Sequence, residues 1–91
     1  MRKISNRFSV DGDEVIKTSN GEPIPHDEPL LILRARDRLA LPLLRIYQQL
    51  SIVDGCNDWF LDQQKTTITD FEKFAHDHPE RMKQPGVTKG K

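Results

Sequence analysis

Cysteine is almost missing from this chain: Cys56 is the single one in 91 residues. No intrachain disulfide can form, so the chain reads as one that folds in a reducing compartment without a covalent staple. Aromatic residues are scarce at 7% and apolar residues reach only 35%, which limits the core and assigns much of the chain to loop. No apolar run approaches the ~20 residues that span a bilayer, and Met1-Arg-Lys-Ile-Ser-Asn-Arg lacks the apolar centre of a signal peptide, so the expected location is cytoplasmic. Net charge is absent as well. Fourteen basic residues balance fourteen acidic ones, which argues against a general nucleic-acid coat.

Catalytic signatures are lacking too. There is no Walker-type loop, no glycine-rich dinucleotide turn and no nucleophile elbow. His76 and His78 are two apart and point in different directions on a helix, and no cysteine pair or second motif completes a tetrahedral set, so no metal site is expected even with His26 and Asp70 as volunteers. Cys56 precedes Asn57 and Asp58, which disfavour a thiolate, and no histidine lies near it in sequence. A chain this short builds a deep cleft with difficulty. The reading is therefore a non-catalytic protein that needs no cofactor.

What the chain does have is regional charge. Residues 11 to 28 hold six carboxylates (Asp11, Asp13, Glu14, Glu22, Asp27 and Glu28) against Lys17, and residues 34 to 45 hold four arginines (Arg34, Arg36, Arg38 and Arg45) against Asp37. After Pro79, four bases stand against Glu80. Segregation of this kind favours complementary contacts over general stickiness.

Punctuation sets the elements. Ile4, Phe8 and Val10 alternate, Asp11-Gly12 is a hairpin turn signal, and Val15 to Thr18 returns as the partner strand. Pro23, Pro25 and Pro29 mark a surface loop. The unalternating run Leu30 to Arg34 reads as a third strand buried on both faces. Leu39, Leu43, Ile46, Tyr47 and Leu50 form the inward stripe of a helix that starts near Leu41, after an irregular Arg36 to Ala40 turn that keeps Pro42 in the first turn. Gly55 stops it. A short element with Trp59, Phe60 and Leu61 follows, one of the two adjacent aromatics entering the core. A last helix capped by Thr66 or Thr67 then buries Ile68, Phe71, Phe74 and Ala75, sets Asp70 and Glu72 near its positive end, and ends at Pro79. The fold class is α+β: a small antiparallel sheet of about three strands from the N-terminal half, covered by two to three helices from the C-terminal half. Residues 1–83 make a single domain and 84–91 a flexible basic tail. Of the two sheet edges, one is guarded by the proline-rich loop or pairs with a second copy, which would make a homodimer.

Asp27-Glu-Pro-Leu-Leu-Ile-Leu-Arg-Ala-Arg-Asp-Arg-Leu-Ala-Leu-Pro-Leu-Leu-Arg-Ile-Tyr resembles a segment of short, mostly uncharacterised proteins encoded by phages and prophage-rich bacterial genomes. Asp70-Phe-Glu-Lys-Phe-Ala and His78-Pro-Glu-Arg-Met-Lys are similar to their closing helix. Together these segments cover a little over a third of the chain. The resemblance implies a setting and no mechanism: such accessory proteins commonly dock on host defence complexes as inhibitors, anti-CRISPR proteins among them, or capture signalling nucleotides.

Two surfaces carry the candidate chemistry. Arg34, Arg36 and Arg38, with Arg45 and the Tyr47 hydroxyl on the helix beyond, offer guanidinium forks to phosphate or to a partner's carboxylates, or else pair on the surface with Asp27, Glu28 and Asp37. Asp11, Asp13, Glu14, Asp27 and Glu28 form an acidic band that can imitate a nucleic-acid backbone or simply solvate its turns. The expected partner is a host protein or ribonucleoprotein complex, engaged through these charged surfaces. The alternative is a binder of a nucleotide signal, a phosphate-bearing ligand, in which the three arginines converge beside Tyr47 or Trp59 for stacking.

Overall fold

Asp11-Gly12-Asp13-Glu14 folds as the sequence demands. In the computed structural model, which describes residues 1–86, Gly12 takes φ +64° while no other residue of that turn has positive φ. That is the backbone of a II′-type hairpin turn, whose twist matches its strands. Phe8–Asp11 (β2) and Glu14–Lys17 (β3) pair across it, with Val10 opposite Val15 and Phe8 opposite Lys17. The third strand is N-terminal. Arg2–Lys3 (β1) pairs antiparallel with β2, giving the order β1-β2-β3, and Ser5 turns the chain between them by accepting the Arg7 and Phe8 amides at 3.2 and 3.1 Å.

Leu30–Arg34 is not a strand, which corrects the expected sheet. The outer side of β3 is already taken: the Lys17 amide donates to Glu22 O at 2.8 Å, and the Ile24 amide donates to Val15 O at 2.7 Å. The proline-bearing loop thus guards that edge, as expected, and Ile24 is buried beneath it. Leu31 and Ile32 are left 80% and 74% exposed, without the paired backbone that a buried strand needs.

The chain divides into two compact units, Met1–Leu31 and Ile32–Lys91. The first holds the sheet and the second holds the helices, so the α+β class stands. Of the expected tail 84–91, residues 87–91 lie outside those described.

In the second unit, Ala40–Val53 forms α1 and Asp58–Asp77 forms α2. Leu39 supplies no capping side chain. Asp37 does that work instead, its Oδ1 accepting the Leu39 amide at 2.8 Å and its carbonyl the Ala40 amide at 3.0 Å. Pro42 then falls in the first turn, where a missing N–H costs nothing. Gly55, at φ +78°, closes α1 in a Schellman motif: the Cys56 amide reaches Ser51 O at 3.0 Å and the Gly55 amide reaches Ile52 O at 3.1 Å.

Two helix expectations are overturned. Trp59 and Phe60 do not sit in a separate element, and Thr66 and Thr67 cap nothing: Asn57 accepts the Phe60 amide at 2.9 Å and starts one 20-residue helix. The few tenths of a kcal/mol that each threonine costs inside a helix do not outweigh an unbroken ladder. Asp70 and Glu72 consequently lie in the later half of α2 rather than near its positive end. The second correction concerns the face of α1. The residues turned inward are Ala40, Leu44, Gln48 and Ser51, whereas Leu39, Leu43, Ile46, Tyr47 and Leu50 are exposed. The seam with α2 is tied by a hydrogen-bond chain in which Gln64 Nε2 donates to Ser51 Oγ at 2.8 Å and Ser51 Oγ donates to Tyr47 O at 2.7 Å. Ile68 is buried beside it, and Phe71, Phe74 and Ala75 are half-buried as the periodicity suggests. None of these helices is long and apolar enough to cross a membrane.

Candidate functional site

The arginine segment is folded rather than extended. The Asp37 amide donates to Arg34 O at 3.0 Å, and this turn ends the alternation on which a three-arginine face depends. Past α2, Pro79 opens a 3₁₀ turn through Arg81. Arg81 there lies over the Phe74 ring, 4.7 Å from its centroid, while His78 packs on the same ring at 5.1 Å. These ring contacts anchor the reversed chain, so that Lys83 returns beside the arginine turn. The Lys83 amide donates to Arg36 O at 2.8 Å, and the Arg38 amide donates to Lys83 O at 2.9 Å, a parallel bridge centred on Asp37 and Lys83.

The result is an open groove of about 190 Å³ lined by Arg34, Arg36, Asp37 and Lys83, with Ile32, Gln84, Pro85 and Gly86 completing its wall. Three cations face one carboxylate. Among the described residues of this unit, no ion pair engages Arg34, Arg36, Arg38 or Lys83, and Asp37 is occupied with the start of α1. Arg36 is half-buried; Arg34 and Lys83 are exposed. Guanidinium and ammonium groups brought side by side by paired backbone can donate charge-assisted hydrogen bonds to an oxyanion.

The remaining predicted residues lie elsewhere. Arg38 is exposed but does not line the groove. Arg45 Nη2 is taken by Glu72 Oε2 at 2.7 Å, tying α1 to α2. With both side chains about half exposed, that bridge contributes only ~0–1 kcal/mol. Tyr47 packs edge-on against Phe60 with centroids 6.0 Å apart, and neither it nor Trp59 lines the groove, so no aromatic stands ready there to stack on a base. Lys83 is the residue that sequence reasoning missed. Its only signal was the basic bias after Pro79.

In the first unit the acidic residues divide. Asp11, the last residue of β2, and Asp27, in a turn, are exposed, while Asp13 and Glu28 line a second open concavity of about 300 Å³ with His26, Val15, Ile24, Pro25 and Leu30. Glu14 Oε2 is bonded to His26 Nε2. That hydrogen bond, then the charge of Glu14 and more weakly that of Asp13, raise the His26 pKa above its ordinary 6.5. Glu22 is engaged by Lys17 at 3.5 Å and by Asn20 at 2.7 Å. Two of the six carboxylates, Glu14 and Glu22, are thus spent on holding loops. No group of three His, Cys, Asp or Glu side chains among the described residues is placed to hold a metal.

No family model matches this chain, and no curated protein or solved structure matches it.

Proposed function

We propose that this chain is a non-catalytic binding protein that docks on an acidic surface of a partner protein through Arg34, Arg36 and Lys83. The observation that carries the reading is that they line one groove and, among the described residues of their own unit, engage in no ion pair. Cations gathered on a hydrogen-bonded backbone are the feature a partner's carboxylates complete, and they speed association as well as strengthen it. A chain with no net charge does not seek polyanions in general; three local cations select a small acidic patch. The resemblance to phage-encoded proteins supplies the setting, a host defence complex inhibited by occupation of such a patch in the manner of an anti-CRISPR protein.

Co-purification tests the reading. The tagged chain captures its partner from a bacterial lysate, and an Arg34→Glu/Arg36→Glu variant loses that partner while its melting temperature stays near that of the parent. Equal capture by both proteins would remove the groove from the account. A nuclease-sensitive capture would redirect it to nucleic acid.

A further inference from the structure

Helix α1 carries a single charged side chain, Arg45, and that one is held by Glu72 of α2. Opposite the seam with α2, the helix presents Leu39, Leu43, Ile46, Leu50 and Val53, exposed by 60, 45, 58, 62 and 85%. The steps between them are 4, 3, 4 and 3, the a/d spacing with which one helix meets another along a supercoiled seam. Tyr47 borders the stripe on one side and Pro42 and Gln49 on the other, so the flanking positions carry no charge until Asp54.

We propose that this stripe is a dimerisation face, occupied by the same stripe of a second copy. Three features select that occupant. The periodicity is that of a helix partner rather than a strand or an irregular loop. The uncharged flanks neither repel an identical helix nor offer anything to a charged one, and a face that is apolar throughout is complementary to itself, as a two-fold interface requires. The area also suffices: the six exposed side chains Leu39, Leu43, Ile46, Tyr47, Leu50 and Val53 amount to on the order of 600 Å² per copy, at the top of the range for patches on monomers, and two copies reach the ~1,200 Å² at which specific interfaces begin. Because each α1 is backed by its own α2, the association brings four helices together, the arrangement in which short helices form stable bundles. The proposal is independent of the role given to Arg34, Arg36 and Lys83.

Sedimentation equilibrium of the full chain tests it. At about 50 µM the expected mass is twice the 10.5 kDa of one chain, and Ile46→Glu/Leu50→Glu, at two exposed positions, raises the dimer dissociation constant by ~100-fold or more with an unchanged far-UV spectrum. A monomeric parent overturns the proposal, as does a dimer that survives the substitutions, which would assign association to another surface. Should the glutamate variant lose its helical spectrum, Ile46→Ala/Leu50→Ala replaces it, with a weakened dimer expected and an unweakened one contradicting.

Discussion

Lys83 and Arg36, 47 positions apart in the chain, are joined by a backbone hydrogen bond of 2.8 Å, and this bond places a C-terminal ammonium beside the arginine turn. Two substitutions separate its parts. Lys83→Ala keeps the backbone pair and removes the charge, whereas Lys83→Pro removes the donor and costs about 0.5–1.5 kcal/mol of local stability. Both weaken binding to an acidic peptide. Only the proline variant accelerates hydrogen exchange at the Arg38 amide, which donates to Lys83 O.

The Ser51–Gln64 bond is buried, and Gln64 Oε1 has no partner among the described residues. Ser51→Ala strands the Gln64 amide as well and is expected to cost about 1–3 kcal/mol, while Ser51→Ala/Gln64→Leu returns to within ~1 kcal/mol of the parent because neither orphaned atom of the Gln64 side chain remains. Urea denaturation followed at 222 nm gives both values. A double variant as unstable as the single one would show that the pair holds the seam by more than its hydrogen bonds.

Asn57 is the side-chain cap of α2. Asn57→Ala leaves the Phe60 amide without its acceptor, a loss of about 1 kcal/mol. The helical melting transition falls by roughly 4–8 °C. Thr66→Ala, which removes a mid-helix residue expected from sequence to be a cap, is expected to leave that transition unchanged or raise it slightly, since alanine is the better helix former.

His26 ties the proline-bearing loop to β3 through Glu14. Its pKa lies above 6.5 in the folded chain, so the contact stabilises fully below the unfolded value of about 6.5 and is lost as pH rises through the folded value. NMR titration of the His26 ring is expected to show the raised pKa, and Glu14→Gln to bring it back toward 6.5. The protection of the Ile24 amide, which donates to Val15, relative to its intrinsic exchange rate at each pH, should fall over the same rise in pH in the parent.

Local signals in the sequence were reliable where one residue decides the geometry. Asp11-Gly12 marks the hairpin, Gly55 the end of α1 and Pro79 the end of α2, each through a backbone preference that needs no tertiary partner. Readings that required knowing the neighbour failed. Leu30–Arg34 has the composition of a buried strand, but the edge of β3 is filled by Glu22 and Ile24. On α1 the apolar periodicity pointed to Leu39, Leu43, Ile46, Tyr47 and Leu50, while the buried residues are Ala40 and Ser51, and Ser51 meets α2 through a hydrogen bond from Gln64. Two of the three clustered arginines share a groove. The third is turned away by a hydrogen bond between Asp37 and Arg34 that no composition rule reveals, and the lysine replacing it arrives from the far end of the chain.

An NMR titration of the labelled chain with an aspartate- and glutamate-rich peptide tests the groove most directly. Shifts concentrated on the Arg34 and Arg36 guanidinium resonances and the Lys83 ammonium, diminished by added salt and absent in Arg34→Glu/Arg36→Glu, are the expected result. Shifts confined to Arg38 and Arg45, or none at all, would contradict it.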